Sequence, residues 1–212
     1  MDAKKIMESE EFKRCVDFHG HICPGLSIGF KAVKACMEIL NETRAEDEEL
    51  VAIVETDACS ADAVQVLTGC TFGKGNFIFK DYGKMAVTLL SRNSGKGVRV
   101  SIQPNPFTPN EEHHALMKKV MSKDANEIET KRFKELHLKR SCDILEKPFE
   151  QLFVIKKVDM ILPPKAIVEP SKPCDICGEP TMGSKLESLL ESLNDKKICR
   201  GCLVYLKQTG SI

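Results

Sequence analysis

The residues best able to do chemistry in this chain of 212 are its ten cysteines and five histidines, and two groups of them fall at ligand spacing. Toward the C-terminus the pattern is Cys174-x2-Cys177, then 21 residues, then Cys199-x2-Cys202. Each pair sets two thiolates on one tight turn, a bite suited to two corners of a tetrahedron around zinc. The separation between the pairs is that of a two-knuckle zinc site. A redox CxxC would explain one pair but not both. Asp175, inside the first knuckle, is a possible substitute ligand because a carboxylate can take a thiolate's corner. Gly178 and Gly201 help the backbone turn close to the metal.

The second group is Cys15, His19, His21 and Cys23, within nine residues. His-Gly-His in an irregular loop allows two imidazoles to face one centre, since Gly20 relaxes the backbone. Cys23 precedes Pro24 at an expected helix start, where free amides and the helix dipole favour a thiolate. Cys59 occupies a similar place between a strand and a helix. Thiols and imidazoles together suit a soft or borderline divalent metal. The competing reading is that Cys23 and Cys59 are small buried residues and the histidines are satisfied core polar groups.

TFGKGN, around Lys74, lacks the Walker spacing, so a nucleotide site has little support. Lys74 is either an anion contact beside loop amides or an exposed turn lysine. Asp62 and Lys74 are candidates to orient a substrate. Cys36 reads as core, Cys142 has no evident partner, and Cys70 is ambiguous.

The elements that must position these groups follow from periodicity. A short amphipathic helix is expected near residues 4–14, and a longer one from Leu26 through Phe30, Val33, Met37 and Leu40, with Pro24 in its first turn. LVAIVE reads as a buried strand, with Ser60 as the cap of a helix at residues 61–67. Phe77–Lys80 and Met85–Ser91 read as two antiparallel strands around Asp81-Tyr82-Gly83, followed by VRVSI. Helices are expected at Glu111–Ser122 and Asn126–Cys142, and FEQLFVIKKVDM returns to the sheet. In SKLESLLESL, Leu186, Leu189, Leu190 and Leu193 recur at helical spacing. Four prolines in residues 162–173 resist helix and strand and predict a linker. The expected organisation is therefore a core at 1–161, a linker at 162–173 and a zinc-binding domain at 174–212.

Thirty-one basic residues balance thirty-one acidic ones, so bulk charge gives nucleic-acid binding no support. No apolar run approaches the ~20 residues of a membrane span, and residues 1–15 lack the apolar core of a signal peptide. A cytoplasmic protein is expected, in which a reducing environment disfavours a disulfide framework.

CVDFHGHICPGLSIGFKA, ETDACSADAVQVLTGCTFGKGN and KDYGKMA together resemble the FmdE family of formylmethanofuran dehydrogenase proteins, over roughly residues 12–155. Some members also carry a C-terminal treble-clef zinc finger, which the four-cysteine segment is similar to. The resemblance implies an α+β, thioredoxin-like core, with a mixed sheet flanked by helices, plus a small treble-clef or ribbon-type finger. It also implies a metal-binding active site at His19, His21, Cys23 and Cys59, with zinc or another divalent metal in the core and structural zinc in the finger. The family is linked by genomic neighbourhood to a molybdenum or tungsten formylmethanofuran dehydrogenase, in the first step of methanogenesis from carbon dioxide. This chain has neither a pterin-cofactor motif nor a ferredoxin-type cysteine run.

Three functions follow in order. The first is an accessory or metal-handling protein that serves such an enzyme complex, with the finger as a docking module. The second is an independent zinc metalloenzyme using His21, Cys23 and Cys59, with His19, Cys59 and Lys74 as catalytic candidates. The third is a zinc-finger regulator that binds nucleic acid through Lys131–Arg140. A homodimer is expected from the frequency of two-fold pairs and exposed sheet edges. Substrate, native core metal and partner are not specified by the sequence.

Overall fold

The computed structural model describes residues 2–108, 110–188 and 196–210. The chain divides into two units, Met1–Ala166 and Ile167–Ile212.

The first unit begins with α1 (Ala3–Met7) and α2 (Glu10–His19), where one helix near 4–14 is expected. Capping separates them: Ser9 Oγ accepts the Phe12 N–H at 3.3 Å and starts a new helix. As a result α2 runs through Cys15 to His19, and only Gly20 to Cys23 is irregular. Gly20 ends the helix at φ 92°, a left-handed cap that a side chain would strain. Next comes α3 (Pro24–Leu40), which ends on Asn41 in the left-handed region. It is followed by β1 (Leu50–Val54), α4 (Ser60–Thr68) and β2 (Phe77–Phe79). This strand–helix–strand crossover makes β2 parallel to β1. The remaining elements of this unit are β3 (Ala86–Ser91), β4 (Gly97–Ile102), α5 (Glu111–Met121), α6 (Glu127–Glu146), α7 (Phe149–Leu152) and β5 (Phe153–Val158).

The strands form one mixed sheet in the order β2-β1-β3-β4-β5. The expected hairpin between Phe77–Lys80 and Met85–Ser91 does not form, because β1 lies between the two segments. Every residue of β1 is buried, so this apolar strand takes a central place with a neighbour on each side. The intervening chain passes over its end, where Lys80 N–H and Lys84 N–H donate to the Val54 and Glu55 carbonyls, each at 2.9 Å.

Phe12 of α2, Leu26 of α3, Leu50 of β1, Leu89 of β3, Ile144 of α6 and Leu152 of α7 are fully buried in one core. Each such side chain contributes about 1.5–3 kcal/mol relative to exposure. Val51, Ile53 and Leu90, which alternate to the opposite face, make a smaller cluster with Ile78, Val158 and Leu162. The architecture is α+β, a mixed sheet flanked by helices.

In the second unit β6 (Ser171–Pro173) pairs with β7 (Pro180–Met182), and β8 (Leu186–Ser188) pairs with β9 (Lys197–Cys199) before α8 (Arg200–Gln208). Two sequence expectations change here. Ser171–Pro173, assigned to the linker, is a strand: Pro173 sits at the end of its pairing, where a missing N–H is tolerated. The start of the same segment belongs to the first unit, since Ala166 N–H donates to Glu48 at 3.3 Å and Pro164 accepts from Arg92 at 3.3 Å. The expected SKLESLLESL helix also changes, because Leu186 is in β8. Leu189, Leu190 and Leu193 lie outside the described residues. Among the described residues, no helix is long and apolar enough to cross a membrane.

Candidate metal centres

The core cluster forms where three helix ends meet. His19 is the last residue of α2, Cys23 is the N-cap of α3, and Cys59 is the N-cap of α4. The cap of α4 is thus Cys59 rather than Ser60, which is the first helical residue. Cys59 lies beyond the carboxyl end of β1, the place where open α/β sheets present their ligand sites. Gly20, left-handed between the two histidines, folds the chain back so that their rings approach to 4.5 Å between centroids.

One donor atom from each of His19, His21 and Cys23 lies within 4.8 Å of the others. His19 Nε2 and Cys23 Sγ are 3.6 Å apart. Tetrahedral zinc with its usual bond lengths would hold such a pair about 3.5 Å apart, so the donor set fits a bound metal. His19 is also oriented for it. Asp62 Oδ2, on the first turn of α4, lies 2.7 Å from His19 Nδ1. A carboxylate accepts, so Nδ1 carries the proton and Nε2 keeps its lone pair toward Cys23. This is the carboxylate–histidine support typical of metal ligands.

Cys59 stands beside this group but is not within its 4.8 Å limit. A Cβ on Gly25 would meet Cys59 Cβ at 3.0 Å, Cys59 Sγ at 3.6 Å and Cys23 Sγ at 3.9 Å. Glycine is therefore what lets both cysteines reach the same space. The thiol of Cys23 differs from the sequence expectation: burial pushes it up to about 11, partly opposed by the Leu26 N–H that donates to its sulfur at 3.3 Å, with nearby Cys59 raising it further. Desolvation outweighs the helix N-terminus here.

The other sequence candidates lie elsewhere. Cys15 and Cys36 are fully buried, and desolvation pushes each up to about 12. They are core residues. Cys70 donates to the Leu50 carbonyl at 3.4 Å. Lys74 donates to the carbonyls of Gly69 and Glu46, each at 2.9 Å, and of Asp47 at 3.4 Å. Its ammonium is thus taken up near the start of β1, away from the strand end that carries Cys59.

Two histidines escape the sequence reading. His113 of α5 and His137 of α6 bring Nε2 and Nδ1 to 3.0 Å. They are 24 positions apart on separate helices, so no local spacing reveals them. Burial lowers the pKa of both; Arg140 adds to this at His113, and His113 and His21 add to it at His137.

In the second unit the four sulfurs of Cys174, Cys177, Cys199 and Cys202 lie within 4.8 Å of one another. Cys174–Cys202 and Cys177–Cys199 are each 3.9 Å apart, close to the ~3.8 Å edge of a zinc–thiolate tetrahedron. The first pair lies between β6 and β7, and the second at the start of α8. This knuckle and helix end fit a zinc finger. The Cys199 N–H, at 3.3 Å, lowers Cys174 to about 6. Burial and neighbouring sulfurs push Cys202 up to about 12. The carboxylate of Asp175, the possible substitute ligand, accepts the Lys197 N–H at 2.6 Å beside the four grouped sulfurs.

Comparison with known proteins places these features in a family. The profile named FmdE, molybdenum formylmethanofuran dehydrogenase operon, matches residues 18–154, a span that includes His19, His21, Cys23, Cys59 and Asp62. A protein of Archaeoglobus fulgidus, named a probable S-adenosyl-L-methionine-binding protein, is 32% identical over 181 residues, 82% of this chain and 49% of its own length. The chain therefore spans about half the length of that curated relative. The crystal structure of a tungsten formylmethanofuran dehydrogenase FmdE-like protein from Syntrophus aciditrophicus superposes with a TM-score of 0.59 at 25% identity. The superposition covers 95% of this chain and 91% of that one. With both the profile and the relative spanning most of the core, this chain belongs to the FmdE family.

Proposed function

We propose that this protein is a metal-binding accessory component of a molybdenum or tungsten formylmethanofuran dehydrogenase-type system, with a metal-centred site at His19, His21 and Cys23. The observation that carries this reading is the Asp62–His19–Cys23 alignment inside the family-matched span. Zinc or another borderline divalent ion is the cofactor suited to two imidazoles and a thiolate. Cys59 either completes the set or faces it as a fourth, exchangeable group. When bound, the metal supplies Lewis acidity. The chain itself contributes a histidine fixed by Asp62 and a buried thiol. The four-cysteine finger takes structural zinc and is proposed as a docking module.

The test is anaerobic copurification with tagged full-length protein in a cell that contains the dehydrogenase. Recovery of dehydrogenase components with a metal-loaded core is expected. A metal-loaded core recovered without any dehydrogenase component would contradict the accessory role.

A second reading, an independent metalloenzyme, draws on a specific feature: three donors leave a tetrahedral position open, and a cleft of about 500 Å³ adjoins Pro24. The nucleic-acid reading loses ground because three of the five basic side chains in Lys131–Arg140 are engaged within the chain. Arg132 meets Glu112 at 2.7 Å, Lys139 meets Asp143 at 3.0 Å, and Arg140 donates to the Thr108 carbonyl at 3.1 Å.

A further inference from the structure

The cleft beside Pro24 is walled by the hairpin of α5 and α6, and its lining includes His113, His114, His137, Glu111 and Arg140. Two of these side chains meet directly. His113 Nε2 and His137 Nδ1 are 3.0 Å apart, so one ring donates and the other accepts. Both rings are half-buried and held in place by Phe133. It stacks on His113 with an interplanar angle of 10° and lies 4.8 Å from His137. Two imidazole nitrogens bound to one ion would stand roughly 2.9–3.4 Å apart at ordinary metal–nitrogen lengths. The observed separation therefore suits a shared ion as well as a shared proton.

We propose that His113 and His137 form a second position for a divalent transition-metal ion in the core unit, separate from the His19–His21–Cys23 site and open to the cleft. Binding takes the proton from between the two nitrogens: the donor ring gives it to solvent and takes one up at its other nitrogen, so both rings stay neutral and each offers one lone pair to the ion. The pair has no sulfur, so it favours imidazole-preferring ions such as nickel, copper and zinc over softer ions. Among the described residues no third donor joins the pair within 4.8 Å, which leaves its other positions to water or to a ligand in the cleft. Pro24, the residue after Cys23, lines the same cleft as the pair. The proposal does not depend on the function assigned to the first site.

The experiment is calorimetric titration of Ni2+ into zinc-loaded full-length protein. One additional ion per chain is expected, bound about tenfold or more weakly in His113→Gln and in His137→Gln, and unchanged in His114→Gln, a cleft neighbour outside both ligand sets. Absence of the extra ion, its survival in the His113→Gln and His137→Gln variants, or its loss in His114→Gln would overturn the proposal. Circular dichroism and retained zinc show that each variant is folded. A measurement without variants accompanies it: diethylpyrocarbonate labelling read by peptide mass. Ni2+ should protect His113 and His137 while exposed His114 reacts as before, and equal reaction of all three with and without Ni2+ would also refute the site.

Discussion

Asp62 and His19, 43 positions apart, meet at 2.7 Å because α4 begins where α2 ends. The contact fixes which imidazole nitrogen is free, and the free one faces Cys23. Asp62→Asn should keep the fold and weaken core-metal affinity about 10–100-fold. Competition with a chromophoric chelator measures it. Unchanged affinity would mean that His19 needs no orientation.

The close approach of α3 to α4 gives a stability prediction. A Cβ on Gly29 would overlap the Ser60 backbone, which cannot swing aside as a side chain can. Gly29→Ala should therefore cost about 1–3 kcal/mol of stability, read as a lower midpoint in urea. Gly25→Ala should act differently: its Cβ presses on the side chain of Cys59, so metal affinity should fall more than stability does.

The buried thiols set a pH dependence. Desolvation raises Cys15 and Cys36 from 9.0 to about 12 in the folded protein. The unfolded chain ionises first as pH rises, so the folded form is favoured below the ordinary thiol value and loses that advantage between about 9 and 12. Denaturation midpoints should be flat from about pH 7 to 8 and fall above about 9. In native protein at about pH 8 these two thiols should resist alkylation while exposed Cys177, after metal removal, reacts.

For the finger, Cys199→Ser removes a ligand sulfur but keeps a capping oxygen in place of the sulfur that accepts the Cys202 N–H at 3.4 Å, so its effect reads out the metal. The second unit should lose its metal and become protease-sensitive, while the first survives as a fragment ending near residue 166. Collapse of both units would contradict their independence.

Much of the molecule is legible in its sequence because it is local. The four-cysteine spacing, the His-Gly-His turn, the start of α3 at Pro24 and the buried strand at Leu50–Val54 all follow from neighbouring residues. What the sequence conceals depends on distant partners. The exception is Ser9: followed by Glu10 and Glu11 it is a local cap signal, but a single helix over 4–14 passes over it, so Cys15 and His19 read as loop rather than helix. The order of β2, β1 and β3 is hidden because adjacent strands in sequence suggest a hairpin unless the central strand is known. Burial of Cys23, which reverses the expected direction of its thiol shift, arises from packing of α2, α3 and α4. The His113–His137 pair belongs to two helices whose antiparallel packing no short motif encodes.

The proposed core centre at His19, His21 and Cys23 is distinct from the four-sulfur finger. The most direct test is metal content per chain after dialysis against a weak chelator, comparing the natural protein with Cys23→Ser and Cys199→Ser. Two tightly held ions are expected in the natural protein and one in each variant, with the Cys23→Ser ion retained by the four finger sulfurs. A natural protein that holds a single ion, lost in Cys199→Ser and unaffected by Cys23→Ser, would contradict the core centre.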